Sequence, residues 1–278
     1  MVRMSTVWDR ATEFVGDNLA AIMPLAIAIL CTVALQDLLA RATDGADQMV
    51  TLAINGFGLV IALISLFARL AVMGMAIDDR RTAGDGLALV LGRLLAVIGV
   101  FFVVGFFFML LFLPLVIVPI AAGLDVAQFS HPTAETFRSL PSWAILVITF
   151  YALAICILAL WLATRLALVL PVMLEERRGL GALRRSFTLT RGLALRILGV
   201  MLLLGLVAAV ATLAAKTVFG TVFRLLLGDA GPFSATNILT AIVVGAVAAL
   251  FTVIGDAFTG KLYLATRDAE ADAVAEGA

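Results

Sequence analysis

The chain has 278 residues, 63% of them hydrophobic and 14% charged, with a mean hydropathy of +1.16. Soluble domains are roughly half apolar and a quarter charged, so a water-soluble globule is excluded and an integral membrane protein is expected. Nineteen basic and nineteen acidic residues balance to a net charge of zero, and the outward-facing loops are not charged enough to suggest a nucleic-acid partner.

Roughly 20 apolar residues cross a bilayer core. On that measure six spans are read, at 19–40, 50–73, 94–118, 143–166, 197–219 and 237–262. The expected fold class is all-α, a polytopic bundle of six transmembrane helices with interfacial amphipathic helices. No polar stretch is long enough for a soluble domain, so residues 1–267 form one transmembrane domain. The acidic tail 268–278, DAEADAVAEGA, is short and polar and is expected to be disordered.

In chain order, residues 3–17 set Val7, Ala11 and Phe14 on one helical face with Trp8 beside them, the pattern of a short interfacial helix. The apolar run after them lacks a clean small-residue cleavage site and reads as a retained first span rather than a signal peptide. Asp44-Gly45 marks the first turn. A second interfacial stretch, GDGLALVLGR at 84–93, precedes span three, where Pro114 and Pro119 are expected to kink the helix or begin its exit. The connection 119–142 contains His131-Pro132 and has room for a small helix near AETFRSL (134–140). After span four, Pro171 is expected to bend an apolar extension. A third interfacial stretch, 179–192, places Leu180, Leu183, Phe187 and Thr190 on one face, with Arg184, Arg185 and Arg191 to the sides or opposite. Gly231-Pro232 breaks the last outer loop, and Ser234 or Thr236 is expected to cap span six. Cys31 and Cys156 fall within spans as small hydrophobes.

One spacing organises these elements. Arg69, Arg165 and Lys261 stand 96 positions apart, in FARLAVMGMAIDDRR (67–81), ATRLALVLPVMLEERR (163–178) and TGKLYLATRDAEADA (259–273). The first two share Arg-Leu-Ala and an acidic pair before Arg-Arg, with a one-residue gap. The chain is therefore read as three helical hairpin repeats, 1–81, 82–178 and 179–267, each with an interfacial helix, an outward span, a loop and a returning span.

Charge distribution sets the orientation. Arg3, Arg10, Arg80, Arg81, Arg93, Arg177, Arg178, Arg184, Arg185, Arg191, Arg196 and Arg267 fall on one side of the spans, against Arg41, Arg138 and Arg224 on the other. Positive residues collect in the cytoplasm, so both termini are expected there. Arginine outnumbers lysine seventeen to two, and with abundant Ala, Gly, Leu and Val this suggests a GC-rich bacterial genome. The expected location is the bacterial cytoplasmic (inner) membrane.

Candidate functional residues are the charges inside spans, because an arginine or aspartate at the centre of a span costs about 2.5–3.5 kcal/mol on insertion. Arg69, Arg165, Asp256 and Lys261 form the candidate intramembrane cluster. Either the three basic groups meet around a pseudo-threefold axis as a cationic ring, or each snorkels to lipid phosphates; Asp256 then pairs with one of them or lines a polar cavity. Lys216 is expected to snorkel at the outer side. Arg177, Arg178, Arg184, Arg185 and Arg191 are the candidate contacts to anionic lipid, the alternative being that they set topology only. Asp78, Asp79, Glu175 and Glu176 are read as partners in local ion pairs. Gly205, Ala208, Ala211, Ala214 and Ala215 in span five, and Gly245, Ala246, Ala249 and Ala257 in span six, allow close helix approach.

His131 is the only histidine, and there is no P-loop, HExxH or GxGxxG after a strand. No catalytic residue, metal ligand or cofactor is assigned.

The segment RLALVLPVMLEERRGLGALRRSFTLTRGLALRILGVMLLL (165–204), with its Ser-Phe-x-Leu-Thr core at Ser186, Phe187, Leu189 and Thr190, resembles the membrane domain associated with some bacterial glycerophosphoryl diester phosphodiesterases and related stand-alone six-span proteins. In the fused members the hydrolase is a separate soluble barrel, which this chain lacks, so the resemblance implies the membrane fold and transfers no activity. The expected function is non-enzymatic membrane or envelope organisation, with membrane lipids, including anionic headgroups, as partners. The alternative is a transporter or permease-like subunit with a polar site near Asp256. A homo-oligomer or another membrane partner is left open.

Overall fold

The computed structural model describes residues 2–43, 47–78, 80–124, 140–176, 179–228 and 231–276. The Asp44-Gly45 turn, Asp79, His131, Arg138, most of the expected 134–140 helix, Arg177 and Arg178 lie outside them. Every regular element among the described residues is an α-helix. They are α1 (Met4–Asp17), α2 (Leu19–Ala42), α3 (Gln48–Ile77), α4 (Ala83–Leu91), α5 (Leu94–Ala121), α6 (Ser142–Leu166), α7 (Val169–Glu176), α8 (Gly181–Leu189), α9 (Ala194–Leu227) and α10 (Ala235–Glu276). Helices α2, α3, α5, α6, α9 and α10 are long and apolar enough to cross a membrane. The chain is an all-α, multi-pass membrane protein.

Local chemistry explains the boundaries. Thr82 and Asp85 form a reciprocal capping box at the start of α4. Ser234 caps α10 by accepting from the Asn237 N–H at 3.3 Å, while the neighbouring Thr236 hydroxyl turns back to carbonyls of Phe223 and Gly228. Helix α5 continues past Pro114 and Pro119, and ends where Gly123, at φ +99°, lets Gly123 N–H reach Ile120 O and Leu124 N–H reach Pro119 O. Pro171 falls in the first turn of α7, where a missing N–H costs little, and the regular helix is interrupted before it at Ala167–Leu168.

Two elements differ from the sequence reading. The acidic tail is helical, because α10 runs on to Glu276. Its alanines and glutamates are good helix formers, Glu270 is tied to Arg185, and Val2, Arg3 and Arg10 lie alongside Asp268, Asp272 and Glu276. In and just after α8 the buried stripe is Ala182, Ser186, Leu189 and Thr190; of the expected Leu180–Leu183–Phe187–Thr190 face, Thr190 is buried, Leu183 and Phe187 are half-buried and Leu180 is exposed. Ala182 and Ser186 let α8 approach the protein closely, Leu183 and Phe187 lie at its edges, and Leu180 is left facing outward.

Helix α10 is the centre of the bundle and touches α1, α2, α3 and α9. The α5–α6 hairpin is attached through α6 to α9 and through the short α7 to α3. The main core lies at one end, where residues 68 and 70–77 of α3, 168–169 and 172–174 around α7, and 256–260 and 262–263 of α10 are buried with Val7, Ala11 and Phe14 of α1. Two glycines permit the closest approaches. A Cβ on Gly260 would stand 2.9 Å from Ala76 Cβ and 3.1 Å from Met73 O, and one on Gly245 would stand 2.9 Å from Leu30 O. Arg80, Arg81, Arg93, Arg184, Arg185, Arg191, Arg196 and Arg267 flank this core, which is therefore called the basic end.

Candidate functional site

Asp256 is 3% exposed, and its carboxylate accepts two hydrogen bonds from Arg69: Nε to Oδ2 at 3.0 Å and Nη2 to Oδ1 at 3.0 Å. This planar fork is the arrangement that best compensates a carboxylate removed from water. The Arg69 side chain remains 49% exposed. The Nη1 group takes no part in the fork.

Arg165 and Lys261 are engaged elsewhere, so the structure gives each of the three 96-spaced basic residues a different partner. Arg165 lies 5.5 Å from the Trp161 ring and donates from Nη1 to Phe187 O at 3.3 Å. Its backbone carbonyl accepts from Ser186 Oγ at 2.6 Å. The Ser-Phe-x-Leu-Thr core is thus a docking element: Ser186 and Phe187 hold α8 to the end of α6, Phe187 meets Trp161 edge-on at 5.9 Å, and Thr190 donates to Ser186 O. Lys261 Nζ sits 4.9 Å from the Phe14 ring and helps fasten α1 to α10. The three residues lie on α3, α6 and α10, and these contacts do not join them to one another.

The depth of Arg69–Asp256 follows from helix register. Gly220 lies against Thr240 and Leu204 against Gly255, so α9 and α10 run antiparallel with Asp256 level with Leu204. Arg196 and Lys216 are 20 residues apart on α9, about 30 Å at 1.5 Å per residue, which matches the hydrocarbon thickness. Asp256 is then about 12 Å inside the basic end and about 18 Å from the Lys216 level. It is deeper than a snorkelling end residue.

A cavity of about 660 Å³ opens from this pair between α9 and α10. Along α9 its wall includes Leu204, Ala208, Thr212 and Lys216, and along α10 Asp256, Thr252 and Ala248. Gly205 and Ala208 of span five therefore face this groove, while Gly245 of span six is committed to α2. Toward the basic end the interior is filled by Leu70, Phe258, Leu262 and Tyr263, all buried. At the other end Lys216 is 3.4 Å from Asp37, which also binds Arg41 at 2.9 Å. The sequence reading passed over Thr212 and Thr252. Their signal was present as polar residues four apart, Thr212–Lys216 and Thr252–Asp256, inside apolar spans.

Asp78, Glu175 and Glu176 make ion pairs or hydrogen bonds, some local and some between helices far apart in sequence. Arg81 reaches Glu175 at 3.1 Å and Asp78 at 3.5 Å. Arg185 bonds Glu176 at 3.1 Å and Glu270 at 2.7 Å, and Tyr263 donates to Glu176 at 3.2 Å. These two carboxylates hold the Arg185 proton more tightly than water does, raising its pKa, chiefly through the Glu270 hydrogen bond. Arg93 donates to Met173 O. Arg184 and Arg191 are exposed. Among the described residues no three His, Cys, Asp or Glu side chains converge as metal ligands would.

Comparison of the chain with family models, with curated proteins and with solved structures gives no match in any of the three. The class defined by fold and composition is that of a six-span helical membrane protein.

Proposed function

We propose that the chain is a non-enzymatic protein of the bacterial cytoplasmic membrane that organises the bilayer by binding anionic lipid at its basic end. The observation carrying this reading is the exposed side of α8 and its flanks. Arg184 and Arg191 are exposed there beside Leu180, 57% exposed, and Leu195, 84% exposed. Leucines left outward next to arginines suit the headgroup–acyl boundary, where apolar side chains enter the acyl region and each nearby arginine gains about 1 kcal/mol from an anionic surface. Arg185 is assigned to structure instead, because its guanidinium is held by two carboxylates. The excess of arginine at this end supports a cytoplasmic location for it and for both termini. The proposed kinship with the phosphodiesterase-associated membrane domain rests on residues 165–204 and extends to the fold alone.

Native mass spectrometry of the purified protein with retained lipids tests the reading. Phosphatidylglycerol is expected to copurify and to be retained less by Arg184→Ala/Arg191→Ala. Absence of anionic lipid, together with unchanged retention in that variant, would refute it. The permease-like alternative is favoured by one observation, the cavity that reaches Asp256.

A further inference from the structure

The groove between α9 and α10 carries polar groups at nearly every helical turn. By the antiparallel register, Arg69–Asp256 is level with Leu204, Thr252 with Ala208, and Thr212 and Lys216 follow at four-residue steps of about 6 Å. A polar ladder therefore runs from the depth of the buried pair to the face opposite the basic end. The ladder stops at Asp256, where Phe258 and Leu70 close the interior.

We propose that this groove is a binding site for one anionic phospholipid drawn from the leaflet opposite the basic end. Two features choose the occupant. At the mouth, a single carboxylate, Asp37, lies between two cations, Arg41 and Lys216, so these three groups leave one positive charge for a phosphate. Beside the ladder the wall is apolar and outward-facing, with Leu213 at 63% exposure, which suits acyl chains and not a water-soluble anion. Asp256 acts as a positioning residue: it holds Nε and Nη2 of Arg69, leaving Nη1 to donate to a phosphate oxygen that moves down the ladder. Thr212 and Thr252 already donate to Ala208 O and Ala248 O, so their hydroxyl oxygens are left as acceptors for headgroup hydroxyls. The site rests on the lipid-binding reading of the chain but uses none of the basic-end arginines.

Full-length protein carrying a benzophenone amino acid at Thr252, or at Thr212 as a second probe position, is reconstituted in vesicles of phosphatidylglycerol and phosphatidylcholine. A probe at Leu206, 62% exposed, reports bulk lipid. After irradiation, mass spectrometry reads the phosphatidylglycerol-to-phosphatidylcholine ratio of the adducts. A groove-probe ratio about tenfold above that at Leu206 is expected, as one charge-assisted hydrogen bond would give. Lys216→Gln, and Arg69→Met/Asp256→Leu where it folds, are expected to lower the ratio toward bulk. Equal ratios at groove and reference positions, or no lipid adduct at either groove position, would overturn the site. Loss of the adduct on adding excess glycerol phosphate would also overturn it, by assigning the groove to a free anion. Arg184→Ala/Arg191→Ala is expected to leave the ratio unchanged; a fall would place the selectivity at the basic end and reject the groove. Lipid retention that fails at the basic end while the groove ratio persists would instead remove the earlier reading alone.

Discussion

The two halves of α3 are equally apolar and differently used. From Leu52 to Ile64 large side chains such as Leu59 and Val60 are more than half exposed, whereas from Leu70 to Ile77 each residue is buried. The same division holds across the bundle. At the basic end α1, α4, α7 and α8 fold over the span ends and make a core; at the other end the spans present leucine and phenylalanine outward. In hydrocarbon there is no hydrophobic gain in joining two spans. Dense side-chain burial therefore collects where the chain meets the interface and where small residues or charge pairs bring helices together.

The sharpest break of this contrast is truncation at the basic end. Leu174→Ala, at a site with no exposure, is expected to cost about 2–5 kcal/mol. Leu206→Ala on the exposed side of α9 is expected to stay within about 0.5 kcal/mol. Both are read by SDS-driven unfolding from mixed micelles followed by circular dichroism, and equal losses would show that the basic end is not the stabilising core.

Next is the buried pair, a two-bond ion pair where the buried core gives way to the exposed half. Asp256→Ala leaves Arg69 without its carboxylate and is expected to cost about 3 kcal/mol, while Arg69→Met/Asp256→Leu recovers most of that loss. A double variant as unstable as the single one would mean that the pair contributes more than compensation. Gly260→Ala tests close approach and is expected to cost about 1–3 kcal/mol, since its Cβ would press on Ala76 and the Met73 carbonyl.

The smallest effect lies at the α4 cap. Hydrogen bonds from the backbone and side chain of Thr82 hold the Asp85 carboxyl below its ordinary value. A lowered folded-state pKa gives stability that is present above the unfolded value, about 3.9, and is lost as pH falls through the folded value. Asp85→Asn is expected to be slightly less stable than wild type at neutral pH, with the gap closing below about pH 4. A gap independent of pH would remove the charge from the cap's contribution.

The spans were legible because their lengths are dictated by membrane thickness, and the starts of α2 and α5 coincide with the sequence reading at Leu19 and Leu94. Short helices before the outward spans were legible from apolar periodicity. The buried side of α8 was not, because periodicity shows which residues share a face and not whether that face meets protein or lipid. Asp256 was visible as a cost needing a partner, yet its choice of Arg69 over Lys261 depends on how α3 lies against α10 at Gly260, information spread over 187 positions of sequence. Glu176 and Arg185 were visible as a charged turn; the third member, Glu270, was hidden in a tail whose composition reads as solvated.

The central place of α10 bears on how the protein is made. Helices α1, α2, α3 and α9 precede it in the chain, and all of them pack on it. During synthesis Arg69 must therefore enter the bilayer before its carboxylate exists, and α1 must wait at the surface with Val7, Ala11 and Phe14 uncovered. Insertion of these four helices and their packing are consequently separate stages here, joined by the arrival of α10. Ribosome-stalled chains ending before residue 235 should expose α1 to protease, and the protection should appear only when α10 emerges.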